Sequence, residues 1–516
     1  MTDAVSLLPL VAVGLPTLAV AFIYASRARP NVREGWTLLA AVGTLAVVWS
    51  MTRAPATPVT PLGSVAGVEF ALRADAGGLL FALLAATLWL ATSLYSVGYT
   101  RGLGEANQTR YFAAFAASIG ATMGVALAAN LFTLFVFYEL LTLATYPLVV
   151  HTGTREARAA GRTYLAYTLG GGVLVLGGAV LVAALAGTVG FAPGGIAALA
   201  SGDPTLARVA FALLVAGFGV KTALVPLHGW LPTAMVAPTP VSGLLHAVAV
   251  VKSGVFALAR TVLYVFGPET TWELGMGLPL AVAAAATMVV AGVVGLRQDS
   301  LKRGLAYSTI SQLSYIALGL ALATPVAVFG ALLHVIAHAF MKITLFLAAG
   351  VIYVETGEKY VSDMAGVGRR LPATMVAFAV AAAGLIGFPL VAGFVSKFHL
   401  VVGAADGPAP VFVAAYLLAG LLKLLYFWPI VYAAFFGERG GADPASRHPF
   451  APPHAGATDG GYAETAWPRL PLGREASPFL LVPVLFTAGG AIALGLAPAA
   501  FPFWGLAETV VTEVFG

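Results

Sequence analysis

The 516-residue sequence contains no cysteine and very little charge. Without cysteine, disulfides, thiolate metal sites and iron–sulfur clusters are excluded. Asp, Glu, Lys and Arg make up 9% of the chain and apolar residues 59%, whereas a soluble domain carries about 25% charged residues. So long a chain with so few charges reads as a polytopic membrane protein. The net charge of +5 is scattered over short loops, which points to membrane topology and away from nucleic acid. Long polar stretches are scarce too. Only 437–476 is polar enough to be a substantial loop, and no soluble domain is visible. The N-terminus has no basic run ahead of its apolar stretch, so it reads as a retained first span and not a cleaved signal.

A helical span needs about 20 mostly apolar residues. Candidates fall near 4–25, 35–52, 75–98, 111–129, 131–150, 162–187, 206–227, 239–266, 276–296, 304–323, 326–353, 372–401, 408–436 and 477–503, about fourteen in all. The loops after odd-numbered spans hold Arg27, Arg29, Arg33, Arg101, Arg110, Arg155, Arg158, Arg162, Arg297, Lys302, Arg303, Lys359, Arg369, Arg370, Arg439, Arg447, Arg469 and Arg474. Those after even-numbered spans hold only Arg53, Arg73 and Arg208. This asymmetry places odd loops in the cytoplasm and both termini outside. Arg260, near a span end, is expected to snorkel.

Lys221, Lys252, Lys342, Lys397 and Lys423 fall inside spans, as do His246, His334, His338 and His399, with Glu139 as the one convincing acid. A charge at mid-bilayer costs at least about 2.5 kcal/mol, so such residues usually line a polar path. His334, His338 and Lys342 recur at i, i+4 and i+8 on one helix face. Ser308, Gln312 and Tyr315 make a similar stripe on the preceding helix, and Tyr138, Thr142 and Thr145 lie beside Glu139. For the hydroxyls, bonding between helices is the simpler role.

Prolines and glycines break two of the lysine-bearing segments. Lys221 precedes Pro226 and His228 in "VKTALVPLHGWLP", and Lys397 follows Gly384, Gly387, Pro389 and Gly393. In each case a second lysine follows one helix later, Lys252 and Lys423. Duplicated interrupted segments are the mark of a transporter built from repeats. Two five-span units follow, 111–266 and 276–436. They are flanked by N-terminal helices within 1–110, the polar cytoplasmic loop 437–476 and a C-terminal segment 477–516. An odd number of spans per unit makes the repeats inverted.

Other motifs fail. "HVIAH" has metal-ligand spacing but lacks the zinc-protease glutamate, "GFGVKT" lacks the phosphate-loop order, and "TLGGGVLVLGG" suits close helix packing. No metal site, cofactor site or catalytic triad is recognisable, and enzyme activity is left open only as membership of a redox-driven translocase.

The stretches "FVFYELLTLATYPLVVHTGT", "VKTALVPLHGWLPTAMVAPTPVSGLLHAVAVVKSG", "LKRGLAYSTISQLSYIALGL" and "HVIAHAFMKITLFLAAG" resemble the antiporter-like subunits of respiratory complex I, of Mrp-type cation/proton antiporters and of membrane-bound hydrogenases, over about residues 75–436. The resemblance implies an all-α fold of fourteen helices, two inverted five-helix repeats and breaks in helices seven and twelve. It implies a proton path through Glu139, Lys221, Lys252, His334, His338 and Lys397, with Lys342, Lys423, His228, His246 and Tyr315 as further relay candidates. Glu139 would pair with Lys221 at rest, and separating the pair would drive the lysine's proton towards Lys252.

The sequence is similar to the shorter family members, and "YELLTLATYPLVVH" leans towards the Mrp D-type and hydrogenase-type branch. A Na+(K+)/H+ antiporter subunit is therefore the expected function. The alternatives are a proton-pumping subunit of a complex I-like NADH–quinone oxidoreductase or hydrogenase, and the membrane partner of an inorganic-carbon uptake complex. Partners would be homologous membrane subunits, with protons and Na+ or K+ as cargo. The driver would be a partner subunit or an opposing ion gradient.

Overall fold

The helix starts follow from local chemistry. Asp75, Asn130, Thr154, Asp203 and Thr324 each accept a backbone N–H from the first turn of the helix they precede. Pro30, Pro204, Pro325, Pro372, Pro478 and Pro502 stand first in theirs, where a missing N–H costs nothing. A computed structural model describes residues 2–65, 67–437 and 474–516. The expected loop 437–476, with Arg439, Arg447 and Arg469, lies almost wholly outside the described residues.

The main helices are α1 (Leu8–Ala25), α2 (Pro30–Met51), α3 (Ala76–Gly102), α4 (Gln108–Ala126), α5 (Leu131–Val149), α6 (Arg155–Ala186), α7 (Pro204–Thr222) and α8 (Thr239–Val265). They continue with α9 (Gly277–Leu296), α10 (Leu301–Leu322), α11 (Pro325–Thr356), α12 (Pro372–Ile386), α13 (Ala392–Ala405), α14 (Phe412–Phe436), α15 (Pro478–Leu496) and α16 (Pro502–Phe515). Among the described residues, twelve helices are long and apolar enough to cross a membrane: α1–α3, α5–α11, α14 and α15. α4 falls outside that set, and α12 and α13 are shorter apolar helices, the two halves of the predicted segment 372–401.

Both expected breaks are present. α7 stops at Ala223, which takes a left-handed φ of 60°, and short turns carry the chain to α8. Between α12 and α13, Gly387 has φ 107° and Leu390 φ 73°. A left-handed alanine and a left-handed leucine each cost about 1–2 kcal/mol, so packing must hold both breaks in place. The Trp230 indole N–H donates at 2.7 Å to the Val220 carbonyl, which also accepts the Ala223 N–H at 3.1 Å, and the Val225 N–H donates to Thr287 Oγ1 at 3.0 Å. Freed backbone groups at this depth need such internal partners.

The loops sort into two faces. On one, β1 (Asp3–Val5) pairs parallel with β2 (Thr57–Val65), which pairs antiparallel with β3 (Val68–Arg73). This small sheet departs from the all-α expectation. It is joined through Arg73 N–H to Leu127 O, Leu131 N–H to Val189 O and Ile196 N–H to Val265 O, so the loops after α2, α4, α6 and α8 meet. On the other face, Arg33 bonds Gln108 at 2.7 Å, Arg110 bonds the His151 carbonyl at 2.8 Å, and Leu301 N–H bonds Lys359 O at 3.1 Å. The arginine-rich loops therefore share one side.

α8 and α11 are wholly buried through their most apolar stretch, and α10 nearly so, while α1 and α6 are mostly open to the surroundings. Leu18, Leu39, Leu143, Val173, Leu417 and Phe436 are exposed on the periphery. Apolar side chains on the rim and polar ones in the centre suit a protein bathed in lipid.

Candidate functional site: a buried line of basic side chains

The central helices carry the ionisable groups. Lys221, His246, Lys252, His334, His338 and Lys342 have no solvent exposure, and Lys423 and Lys397 are buried as well. Their spacing follows from helix geometry: His334, His338 and Lys342 project from one face of α11 towards α8, α10 and α13.

Lys252 Nζ lies 2.8 Å from His338 Nδ1. The His338 and His334 rings are 6.3 Å apart. His334 is held at both ends, with Nδ1 2.8 Å from Ser396 Oγ and Nε2 2.9 Å from Gln312 Oε1. Ser396 precedes Lys397, whose ammonium donates to the Leu385 carbonyl and, at 3.3 Å, to that of Ile386. Lys397 thus caps carbonyls freed by the break after α12. The Tyr315 ring stacks on His334 at 5.6 Å and lies 4.7 Å below the Lys397 ammonium. Lys342 bonds Ser308 and the Leu305 carbonyl, and Lys423 lies within electrostatic reach of both Lys342 and Lys397. Side chains from α8, α10, α11, α13 and α14 therefore meet in one polar seam.

The other end differs from expectation. Lys221 does not form an ion pair with Glu139. Its ammonium donates to the Tyr138 carbonyl at 2.5 Å and lies 3.3 Å over the Tyr138 ring. Glu139 is only half-buried, and its Oε1 is enclosed without a hydrogen-bond partner. Adjacent residues on a helix point about 100° apart, so Tyr138 faces the core while Glu139 turns towards the rim. The two charges still feel each other electrostatically. Gly172 of α6 makes room for the carboxylate, because a Cβ there would strike it.

α8 approaches Lys221 through Gly254, where a Cβ would meet the backbone of Lys221 and Thr222. Backbone cannot yield as a side-chain tip can. Gly254→Ala is therefore expected to destabilise the protein by about 1–3 kcal/mol through overpacking. Gly14→Ala, with open space around it, is expected to be neutral or slightly stabilising. Thermal unfolding of the purified protein checks the contrast.

The remaining predicted residues scatter. His246 has no partner on either ring nitrogen and packs 4.8 Å from Phe346. It sits in a widened i→i+5 turn, closed by Ala249 N–H to Leu244 O, and a second such turn ends α8. Bulges of this kind favour functional sites. His228 lies half-buried in the first break near Tyr307. His399 bonds its own helix at Val395 O. Tyr315 and Thr145 bond neighbouring helices, to Tyr416 O at 2.9 Å and Tyr164 Oη at 2.6 Å, in keeping with the simpler role of such hydroxyls.

Three residues escaped the sequence. Ser396 is one of many serines until the fold sets it against His334. Lys302, counted with a loop, buries its ammonium against the Ala237 carbonyl. Arg260 does not snorkel. It is 1% exposed and paired with Asp75 at 2.5 Å.

Residues 128–422, which contain this seam apart from Lys423, match the family described as NADH:quinone oxidoreductase/Mrp antiporter, TM. The chain belongs to that family. Among its relatives, NADH-quinone oxidoreductase subunit N of Desulforudis audaxviator is 35% identical over 83% of this chain and 82% of its own length. An Na(+)/H(+) antiporter subunit of Alkalihalophilus pseudofirmus is 33% identical over 64% of this chain, which spans only 42% of that larger protein. In fold, a chain of the Mrp complex from Dietzia sp. DQ12-45-1b aligns over 99% of both chains with a TM-score of 0.79 and 26% identity. A chain of an archaeal membrane-bound sulfane sulfur reductase aligns over 99% of this chain with a TM-score of 0.82 and 23% identity. By its family match and its relatives, the chain is a multi-pass membrane subunit of the antiporter type.

Proposed function

We propose that this family member moves protons across the membrane along the line Glu139, Lys221, Lys252, His338, His334 and Lys397, as one subunit of a larger membrane complex. The observation that carries the reading is the buried run from Lys252 through His338 and His334 to Ser396 and Lys397. A fold does not bury so many basic groups among apolar helices without use for them. Lysine suits a relay because burial brings its charged and neutral forms close in free energy. Histidine passes a proton between its two ring nitrogens.

A proton reaching Lys221 meets a counter-charge, Glu139, that no protein group holds in place. Movement of that carboxylate towards or away from Lys221 changes how firmly the lysine keeps its proton. Release sends the proton to Lys252, across the contact at Gly254. From there it crosses His338 and His334 to Lys397 at the second break. Lys342 and Lys423 form a side branch of the seam, within electrostatic reach of each other. Driving a proton against 100 mV takes about 2.3 kcal/mol, which a partner subunit or an opposing ion gradient must supply.

The complex is proposed to be a Mrp-type Na+(K+)/H+ antiporter with this chain as a D-like subunit, a reading supported by the end-to-end fold likeness to a Mrp chain. A quinone-linked redox complex is the second reading, supported by the likeness to an oxidoreductase subunit N over more than four fifths of both chains. Membrane vesicles containing the complex tell them apart. In an antiporter, added Na+ or K+ collapses an imposed pH gradient. In a redox pump, quinone reduction builds one without either ion. Neither response from an intact complex would remove proton translocation itself.

The arginine-rich face is proposed to be cytoplasmic, with both termini on the other side. The chain is further expected to give no ion exchange when purified alone into liposomes, because its buried line of charges needs a partner subunit to drive or gate it. Vigorous exchange by the single chain would refute that.

A further inference from the structure

His334 is held on three sides. Its ring stacks on Tyr315, with 5.6 Å between centroids and 27° between planes. Tyr315 is itself tied down, donating to the Tyr416 carbonyl at 2.9 Å while Tyr416 donates back to the Tyr315 carbonyl at 3.2 Å. Nδ1 of His334 lies 2.8 Å from Ser396 Oγ on α13, and Nε2 lies 2.9 Å from Gln312 Oε1 on α10. His338, one turn along α11, has Lys252 at Nδ1 but no partner at Nε2 among the described residues.

A proton-carrying imidazole takes three forms: neutral with hydrogen on Nδ1, neutral with hydrogen on Nε2, and doubly protonated. A carboxylate only accepts and an ammonium only donates, so each suits some of these forms and opposes the rest. Both partners of His334 do either. The Gln312 carboxamide accepts through Oε1 from a protonated Nε2 and, turned over, donates through its own nitrogen to a bare one. Turning it gives up only the bond that the turned amide replaces, because Gln312 Nε2 is buried with no partner among the described residues. A buried amide ordinarily engages both ends. The Ser396 hydroxyl donates to a bare Nδ1. It accepts from a protonated one while donating to the Ala392 or Gly393 carbonyl, each 3.3 Å away.

We infer that Gln312 is a positioning residue of the relay, an amide that reverses with the protonation state of His334 and, together with Ser396, keeps the ring in place through all three forms. The inference rests on the proton-relay reading and adds to it an uncharged residue outside the basic line. The titratable and charged groups around His334 are Lys252 of α8, Tyr315 of α10, His338 of α11 and Lys397 of α13. All four are unchanged in the Gln312 variants that test the assignment.

The measurement is transport by the intact complex in membrane vesicles, followed across pH at matched abundance. Gln312→Leu removes both the acceptor and the donor at Nε2. Transport is expected to fall about tenfold, the factor that one lost hydrogen bond implies. Its pH dependence is expected to move about one unit towards acid, since the doubly protonated ring loses an acceptor. Gln312→Glu, once ionised, accepts but does not donate, and it adds a negative charge that favours the doubly protonated ring. Transport is again slower, but its pH dependence moves towards alkali. A side chain that only fills space between α10 and α11 gives no reason for opposite shifts. Gln312→Met, unbranched and without a hydrogen-bonding amide, carries the same expectation as Gln312→Leu if leucine prevents assembly. An unchanged pH dependence in the apolar variant, or a shift of Gln312→Glu towards acid, overturns the assignment. His334→Gln separates that failure from failure of the relay. Near-native transport by His334→Gln would count against the relay itself. Loss of transport in His334→Gln beside unshifted Gln312 variants would leave the relay standing and remove Gln312 from it.

Discussion

Lys397→Ala is expected to lower transport by about a hundredfold or more, the scale on which loss of a positioned proton-transfer group is felt, and to do so as severely as Lys221→Ala. The two lysines stand at opposite breaks, Lys221 just before one and Lys397 just after the other. They share no contact, so a local structural role gives no reason for equal effects. A relay in series does, because it stops at any missing station. Lys397 also holds the Leu385 and Ile386 carbonyls, so some stability will be lost. Lys397→Met, which keeps most of the side-chain volume, separates the two effects. Both variants should stop a vesicle pH-gradient assay at normal abundance of the complex. Activity of Lys397→Met near that of the native complex would break the proposed line in its second half.

Glu139→Gln carries the second large effect. Removing one partner of a buried ion pair costs about 3–5 kcal/mol. That penalty does not apply here, because the carboxylate is half-buried and one oxygen already lacks a partner. Glutamine fits the same space beside Gly172. Assembly on native gels should therefore be unchanged. Transport should fall by about a hundredfold, the lower range for a missing acid–base group, since among the described residues Glu139 is the one acid whose charge acts on Lys221. Loss of the complex together with its activity would make Glu139 structural. Full activity would remove it from the mechanism.

Much of this arrangement was legible in the sequence because the bilayer imposes strong rules. Apolar runs marked the helices, and Gly384, Gly387 and Pro389 marked the second break within a few residues of Gly387–Val391. The i, i+4, i+8 stripe on α11 needs only helix geometry, and all three of its members are buried in the seam. What escaped depends on contacts far apart in sequence. Ser396 reaches His334 across 62 residues, and Asp75 reaches Arg260 across 185. A snorkelling arginine and a buried, paired one look alike until the partner helix is in place. Lys221 faces a carbonyl and not the Glu139 carboxylate because Tyr138 and Glu139, adjacent in sequence, point to different sides of α5. The small sheet was hidden because "TPVTPLGSV" is short, proline-rich and paired partly with the N-terminus, 54 residues away at Asp3 and Thr57.

The central claim is that protons cross from α8 to α11 through the Lys252–His338 contact, where Nζ and Nδ1 lie 2.8 Å apart. Lys252→Met keeps the length of the side chain and removes the exchangeable proton. The decisive measurement is pH-gradient formation or collapse by vesicles bearing this variant, at matched abundance of the assembled complex. The account predicts a signal no greater than that of vesicles without the complex. A signal close to that of the native complex would contradict it.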